Sequence, residues 1–475
     1  MKSSILGITA IGLVALLAPG DASATTRDIA NLQTAPLTIR QSVLGELSGN
    51  LLQDPFDELQ FRPYNLSSVN LERYGNLSPW PGQEGEQNRY VNALIGNNGN
   101  TNVRNGSDVL QGSYIQQSME KLAWGVSAAY LADDVRNTDS VGTSVFADGE
   151  ELIGFDARFA FGLRVSDRVR IGGGVGAFNR GDEVTDSSFQ DGVGGFFSLQ
   201  DLQQSGVDAD FGFRLFQSSA TSWQGQLAVG IGDTELNDFS ETLDGTGAVT
   251  SRFVVTEYAV SDMYVELSGG YNRRYQDHGG ELQLQVGYRM SEHELDNTDL
   301  SYTDDGVTIT PSLLLLAQDP IGEAELFASA GTLFVRGWTQ MFAGARLGLS
   351  QVDGSTQVDS LGTIVDEAID DSRTRLSLIL GLRQPLWNEK FRLIAGARAE
   401  WMDEGLETVI GTTSSGTDFT QTTTSYTIGV ETVLSNVNFD LAWLFGEAPS
   451  PGGTTTAARQ TIDFDRVVIS ATLGW

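Results

Sequence analysis

The chain closes on Asp465-Arg-Val-Val-Ile-Ser-Ala-Thr-Leu-Gly-Trp475. Side chains of an extended strand alternate between two faces, so Val467, Ile469, Ala471, Leu473 and Trp475 share one side while Arg466, Ser470, Thr472 and Gly474 share the other. A strand that is apolar on one face only and ends in an aromatic suits a wall with hydrocarbon outside it. There every backbone group must be paired, and the last strand must close against the first.

The same period of two recurs along the chain from about Lys121 onward. Phe391, Leu393, Ala395, Ala397, Ala399 and Trp401 oppose Arg392, Arg398 and Glu400. Between Glu281 and Met290, Leu282, Leu284, Val286, Tyr288 and Met290 oppose Glu281, Gln283, Gln285 and Arg289. Phe155 to Val165 carries Asp156, Arg158 and Arg164 on its polar face, and Arg375 to Arg383 sets Leu376, Leu378, Leu380 and Leu382 opposite its arginines. Past residue 24 no apolar run approaches the ~20 residues that a spanning helix requires. The pattern predicts an all-β fold, a transmembrane antiparallel β-barrel.

Short links, such as Ser166-Asp167, Gln318 to Gly322, Pro385 to Glu389 and Ser435-Asn436, alternate with long polar ones near 132–150, 181–206, 233–253, 291–306, 351–372, 403–422 and 447–463. Bacterial barrels alternate short periplasmic turns with long outer loops, and this pattern gives about 14 strands. Glu323 to Ser350 is long enough for two strands broken near Arg336-Gly337. Splitting it makes fifteen, and an even number then requires either a sixteenth strand from the N-terminal region, which makes 16 the alternative, or a single long strand with a bulge.

Residues 1–24 read as a signal peptide: Lys2, an apolar middle from Ile5 to Leu17, then Ala22-Ser23-Ala24 before a cut at Thr25. Residues 25–112 lack sustained alternation and are expected to form a plug or periplasmic segment, with a helix from Thr38 to Leu52 and aromatic residues for packing in Phe56, Phe61, Tyr64, Tyr74, Trp80 and Tyr90. Residues 113–475 form the expected barrel.

Charge and chemistry narrow the function. The net charge of -33 argues against nucleic acid as a partner, because phosphate contacts need Lys and Arg. With no Cys and two His, the chain offers no thiolate metal site. No cofactor, metal site or catalytic residue is expected; His293, beside Glu292, Glu294 and Asp296, reads as a surface histidine among acids. Acid concentrates in the long links, for example Asp133, Asp134, Asp139, Asp148, Glu150 and Glu151, which reads as a solvated rim.

The strand phase turns Arg158, Arg164, Arg214, Glu266, Glu281, Arg289, Arg346, Arg375, Arg383, Arg392, Arg398, Glu400, Glu431 and Asp440 away from lipid. A basic residue facing hydrocarbon at the midplane costs about 2 to 4 kcal/mol, so these side chains are expected to line a lumen. Arginine and acid occur in similar number, which fits either a hydrated pore or a lumen whose charges pair off around a plug.

Phe161-Gly-Leu-Arg-Val-Ser-Asp-Arg-Val-Arg-Ile-Gly-Gly-Gly-Val175 resembles the strand-turn-strand of the FadL-type outer-membrane transporters for long-chain fatty acids and other hydrophobic compounds. Phe439 to Trp475 is similar in layout to that family's closing hairpin. The family's early Asn-Pro-Ala motif has no counterpart, and no binding residue is carried over. The last strand also resembles the signal by which outer-membrane proteins of Gram-negative bacteria are recognised for assembly, with Val467, Ile469, Ala471, Leu473 and Trp475 as its face. The resemblance implies an outer-membrane channel or transporter for passive passage of small solutes, hydrophobic ones included. Its implied partners are outer-membrane lipid and lipopolysaccharide, the barrel-assembly machinery and the solute. The alternative is a surface barrel with a sealed lumen, for adhesion or scaffolding.

Overall fold

The computed structural model describes residues 56, 58, 59, 62–68, 73–80, 108–119, 121–141, 144–190, 193–246, 248–275, 280–304, 307–309, 319–360, 363–386, 390–410, 413–434, 437–449 and 461–474. Among them no helix is long and apolar enough to cross a membrane. The strands are β1 (Arg73–Trp80), β2 (Asp108–Met119), β3 (Leu122–Val141), β4 (Ser144–Arg164), β5 (Val169–Gln190), β6 (Gly194–Phe216), β7 (Thr221–Asp244), β8 (Val249–Arg274) and β9 (Glu281–Asp304). After the three-residue β10 (Val307–Ile309) come β11 (Asp319–Arg336), β12 (Thr339–Ser360), β13 (Thr363–Pro385), β14 (Phe391–Ile410), β15 (Thr413–Leu434), β16 (Val437–Pro449) and β17 (Thr461–Gly474).

Each strand pairs antiparallel with its neighbour in sequence, and the stub β10 merely folds back on the end of β9, so that β9 pairs directly with β11. The sheet closes where β1 takes β17 on one side and β2 on the other, with Gly75 opposite Leu473 and Tyr114. The fold is a closed barrel of sixteen strands.

Sixteen replaces the expected fourteen for two reasons. Glu323 to Ser350 is two strands, broken at Gly337, whose positive φ of 61° supplies the tight reversal. Arg73–Trp80, inside the segment expected to be plug or periplasmic, is wall instead, and β2 begins at Asp108, before the barrel boundary expected at residue 113. The link expected at Gln318 to Gly322 is also displaced. Ile321 and Gly322 already pair with His293 and Glu292, far from the short-turn end of β9, so they open β11 rather than join two strands. The predicted helix at Thr38 to Leu52 lies outside the described residues, as does His278.

The polar stretches expected as loops largely continue as strand. β3 and β4 stay paired to Val141 opposite Ser144, and β12 and β13 to Ser360 opposite Thr363. Strands of 20 to 26 residues rise ~3.3 Å per residue, well beyond an apolar band of about 25 Å. Their outer halves have no lipid to face, so they keep the ladder and lose the alternation.

The alternation is kept in the band itself. Leu267 and Leu380 are 62% and 61% exposed on the outside, while Ser268, Ser377 and Ile379 on the other phase are buried. Inner glycines sit opposite inner aromatics: Phe342 covers Gly381, Phe327 covers Gly287 and Phe178 covers Gly206. The ring fills the space above a residue that would otherwise leave backbone bare.

Two outcomes follow. Deleting Leu473–Trp475 removes two of the four β1–β17 pairs and is expected to abolish heat-modifiable protein in the membrane fraction. On β7, Leu227 faces out and Gln226 in; Leu227→Arg is expected to lower stability by about 2 to 4 kcal/mol, with Gln226→Arg close to wild type in denaturant unfolding from lipid.

Candidate functional site

The barrel interior holds two dissimilar walls. On the β3 to β6 side a piece of the N-terminal segment is packed inside, at the end of the short turns. Phe56, Glu58 and Leu59 lie in a helical turn, and Pro63–Ser68 forms a 3-10 turn. The Pro63–Ser68 turn approaches the wall so closely that a side chain at Gly162 would strike the Pro63 carbonyl, one at Gly172 the Tyr64 amide and one at Gly212 the Tyr64 ring. Three glycines on three adjacent strands make the seat.

Phe56, Leu59 and Leu66 pack with the inward Ile115, Ala123 and Ala160, and Phe56 meets Tyr74 of β1 edge-on at 6.3 Å. Burying each such side chain contributes about 1.5 to 3 kcal/mol. Tyr64 is 1% exposed, and burial pushes its hydroxyl up to about 12, so it stays neutral at any physiological pH. Polar contacts finish the seat. Arg158, 3% exposed, donates from Nε to the Leu59 carbonyl at 3.2 Å and is itself held by Asp208 at 3.1 Å and by Asp210. Arg214 donates to Asn65 Oδ1 at 3.3 Å, Arg170 donates to the Ser68 hydroxyl, and Asn65 in turn donates to Glu58 at 2.8 Å.

The facing wall carries a belt of ion pairs across β8 to β14. Glu266 pairs with Arg289 at 2.7 Å, Arg289 with Glu325 at 3.7 Å, and Glu325 with Arg346 at 3.5 Å. Arg346 also lies over the Phe327 ring at 4.7 Å. Farther round, Glu400 takes Arg375 and, at 2.7 Å, Arg398. Nearer the short turns, Glu431 is 2% exposed and is shared by Arg383 at 2.7 Å and Arg392 at 3.0 Å, with Asp440 directly opposite it on β16. Glu281 accepts from Arg274 at 3.1 Å.

All fourteen residues expected to face inward fall in three places. Arg158, Arg164 and Arg214 are on the wall beneath the packed segment. Glu266, Arg289, Arg346, Arg375, Arg398 and Glu400 belong to the belt, and Arg383, Arg392, Glu431 and Asp440, with Glu281, lie close to the short-turn end. Sequence reasoning passed over Glu325, which joins Arg289 to Arg346, and Arg170. It also passed over the seat, although glycines in inward phase at 162, 172 and 212 are the mark of a close backbone approach. Of the assembly face, Leu473 points outward; Trp475 lies outside the described residues. His293 pairs through its backbone with Ile321 and Asp262. Among the described residues no group of three or more His, Cys, Asp or Glu could hold a metal.

No known protein family and no curated protein matches the sequence. Among solved structures the chain is similar to the CymD monoaromatic hydrocarbon channel (10% identity, 92% of this chain and 97% of that one, TM-score 0.39). It is similar also to a Pseudomonas aeruginosa FadL homologue (12% identity, 92% and 96%, TM-score 0.37). A third is the translocator domain of the autotransporter NalP from Neisseria meningitidis (10% identity, 89% and 96%, TM-score 0.29).

Glu431 is the test of the charge pattern. Glu431→Gln leaves two arginines without their shared acid and is expected to cost about 3 kcal/mol, the order for breaking a buried pair. Arg392→Gln, which leaves Glu431 its bidentate bond to Arg383, is expected to cost less than half of that. Denaturant unfolding of both variants reads the ratio.

Proposed function

We propose that the chain is a passive channel or transporter in the outer membrane of a Gram-negative bacterium, with residues 56–68 as the stopper of its lumen at the periplasmic end. The observation that carries this reading is the packed 3-10 turn itself. Barrels of 16 to 18 strands leave room for an aqueous channel, and this one devotes three wall glycines and the side chain of Arg158 to holding a separate piece of chain inside. A barrel sealed by its own side chains has no use for such a seat.

The short turns mark the periplasmic end and the acidic hairpins the outer one, following the rule for bacterial barrels. Lipid and lipopolysaccharide surround the apolar band, and the last strand, through Val467, Ile469, Ala471, Leu473 and Trp475, is the face presented to the assembly machinery. The solutes are small and cross down their gradient, hydrophobic ones included. The paired belt suits a wetted lumen wall: charges that hold each other in place neither trap a neutral solute nor collapse onto it. No catalytic step is assigned.

The stopper must be removed without touching the wall. Because Arg73–Trp80 belongs to the barrel, the deletion runs from residue 27 to residue 68, behind an intact export signal. In planar bilayers the truncated barrel is expected to show larger unitary conductance than the full chain. Equal conductance from a heat-modifiable, correctly assembled truncation would overturn the stopper and favour the sealed surface barrel.

A further inference from the structure

Arg164, Arg170 and Arg214 stand side by side on three adjacent strands. Arg170 of β5 is the direct cross-strand partner of Arg164 on β4 and of Arg214 on β6. All three are in the inward phase, within a few residues of the turns at 165–168 and 217–220. Like charges directly opposite one another destabilise a sheet, and this row repeats the arrangement twice.

Arg158, Arg289, Arg375 and Arg383, on the same inward phase elsewhere in the barrel, are each given acids. Among the described residues neither Arg170 nor Arg214 forms an ion pair. Their hydrogen bonds go to neutral groups: Arg170 to the Ser68 hydroxyl, and Arg214 to the Ser222 hydroxyl at 2.9 Å and to Asn65 Oδ1 at 3.3 Å. Both guanidinium groups lie over the Phe216 ring, 4.6 and 5.0 Å from its centroid, which keeps them together despite their charge. Arg164 and Arg274 add positive charge close enough to act on Arg170, while Glu58 acts on both Arg170 and Arg214, and Glu281 on Arg214, from beyond ion-pair distance.

We propose that Arg170 and Arg214, with Arg164 alongside, bind a doubly charged oxyanion of the phosphate or sulfate type inside the barrel, under the Pro63–Ser68 turn. Two charges match two guanidinium groups that no acid pairs. The planar fork of arginine donors fits a tetrahedral oxyanion, and Ser68 and Ser222 place hydroxyl donors beside it. Since Ser68 and Asn65 belong to the packed turn and the arginines to the wall, the anion ties one to the other. The site faces the interior, so its ligand is a free ion rather than a lipid headgroup, and it does not depend on the barrel conducting.

The test uses the full-length protein in detergent, with thermal unfolding followed in inorganic phosphate, sulfate, chloride or acetate at matched ionic strength. Phosphate and sulfate are expected to raise the unfolding temperature saturably, as a ligand of the native state does, and chloride and acetate are not. Arg170→Gln is expected to weaken half-saturation by roughly tenfold or more, and to unfold no lower than the native protein without phosphate, because a like-charged neighbour has gone. Should that variant fail to assemble, Arg170→Lys keeps the charge, loses the fork and is expected to bind phosphate more weakly. No saturable shift with either dianion, an equal shift with acetate, or native half-saturation in the assembled variant would each overturn the site. The readout is unfolding and not current, so its failure is separate from a failure of the channel reading.

Discussion

Within hydrocarbon every backbone N–H and C=O must be paired by the protein itself, and in this chain that requirement falls on its thinnest joint. β1 is eight residues long where most strands exceed twenty, and only Tyr74 to Leu77 register against β17. A seam of four pairs has little ladder to hold it. Two side-chain contacts reinforce it from within: Asn76 donates to the Thr472 hydroxyl at 2.9 Å, and Tyr74 carries the edge-on contact with Phe56. The piece of chain packed inside the barrel therefore bears on the strand that closes it. Packed segment and seam share one apolar cluster, which includes Ile115 of β2, the cross-strand partner of Tyr74.

The sheet, its facing and its closure were legible in the sequence because lipid imposes a period of two that no soluble environment enforces over so many strands. Leu376, Leu378, Leu380 and Leu382 could be phased from their spacing alone. The strand number was not fully legible, for a physical reason. Arg73–Trp80 contains Gly75 and Pro79 and spans too few residues to show alternation, yet pairing on both edges makes it a strand. The opposite happened in the hairpins. Asp133 to Val141 shows no apolar face in the sequence, yet its backbone stays paired with Ser144 to Leu152 as strand. Periodicity reports the medium around a strand rather than the strand itself.

The interior was half legible. Spacing could say that Arg289 or Arg383 faces inward, since the outward alternative is too costly, but not which acid it meets. Partners come from register across strands distant in sequence, as Arg383 and Glu431 do, 48 residues apart. The packed segment was harder still, because Phe56, Leu59, Tyr64 and Leu66 follow no period. They are buried by a surface that β1 to β6 build only once those strands are paired side by side.

Charge is arranged by medium as well. Asp353 lies exposed on a long hairpin, where water screens its charge, whereas Glu325, Glu400 and Glu431 on the inner wall each meet two arginines. Arginine suits that wall because its fork lets Glu431 hold two guanidinium groups at once, and its charge cannot be shed in a confined space. Where this rule holds, the wall is neutral and locked. It lapses at Arg170 and Arg214, which lie against the one part of the interior that the wall does not itself provide. Acids on β5 or β6 would have fixed those arginines to the wall for good. Their hydrogen bonds go instead to hydroxyl and amide groups, two of them on the packed turn, so at this junction of wall and turn the positive charge meets no acid within ion-pair distance among the described residues.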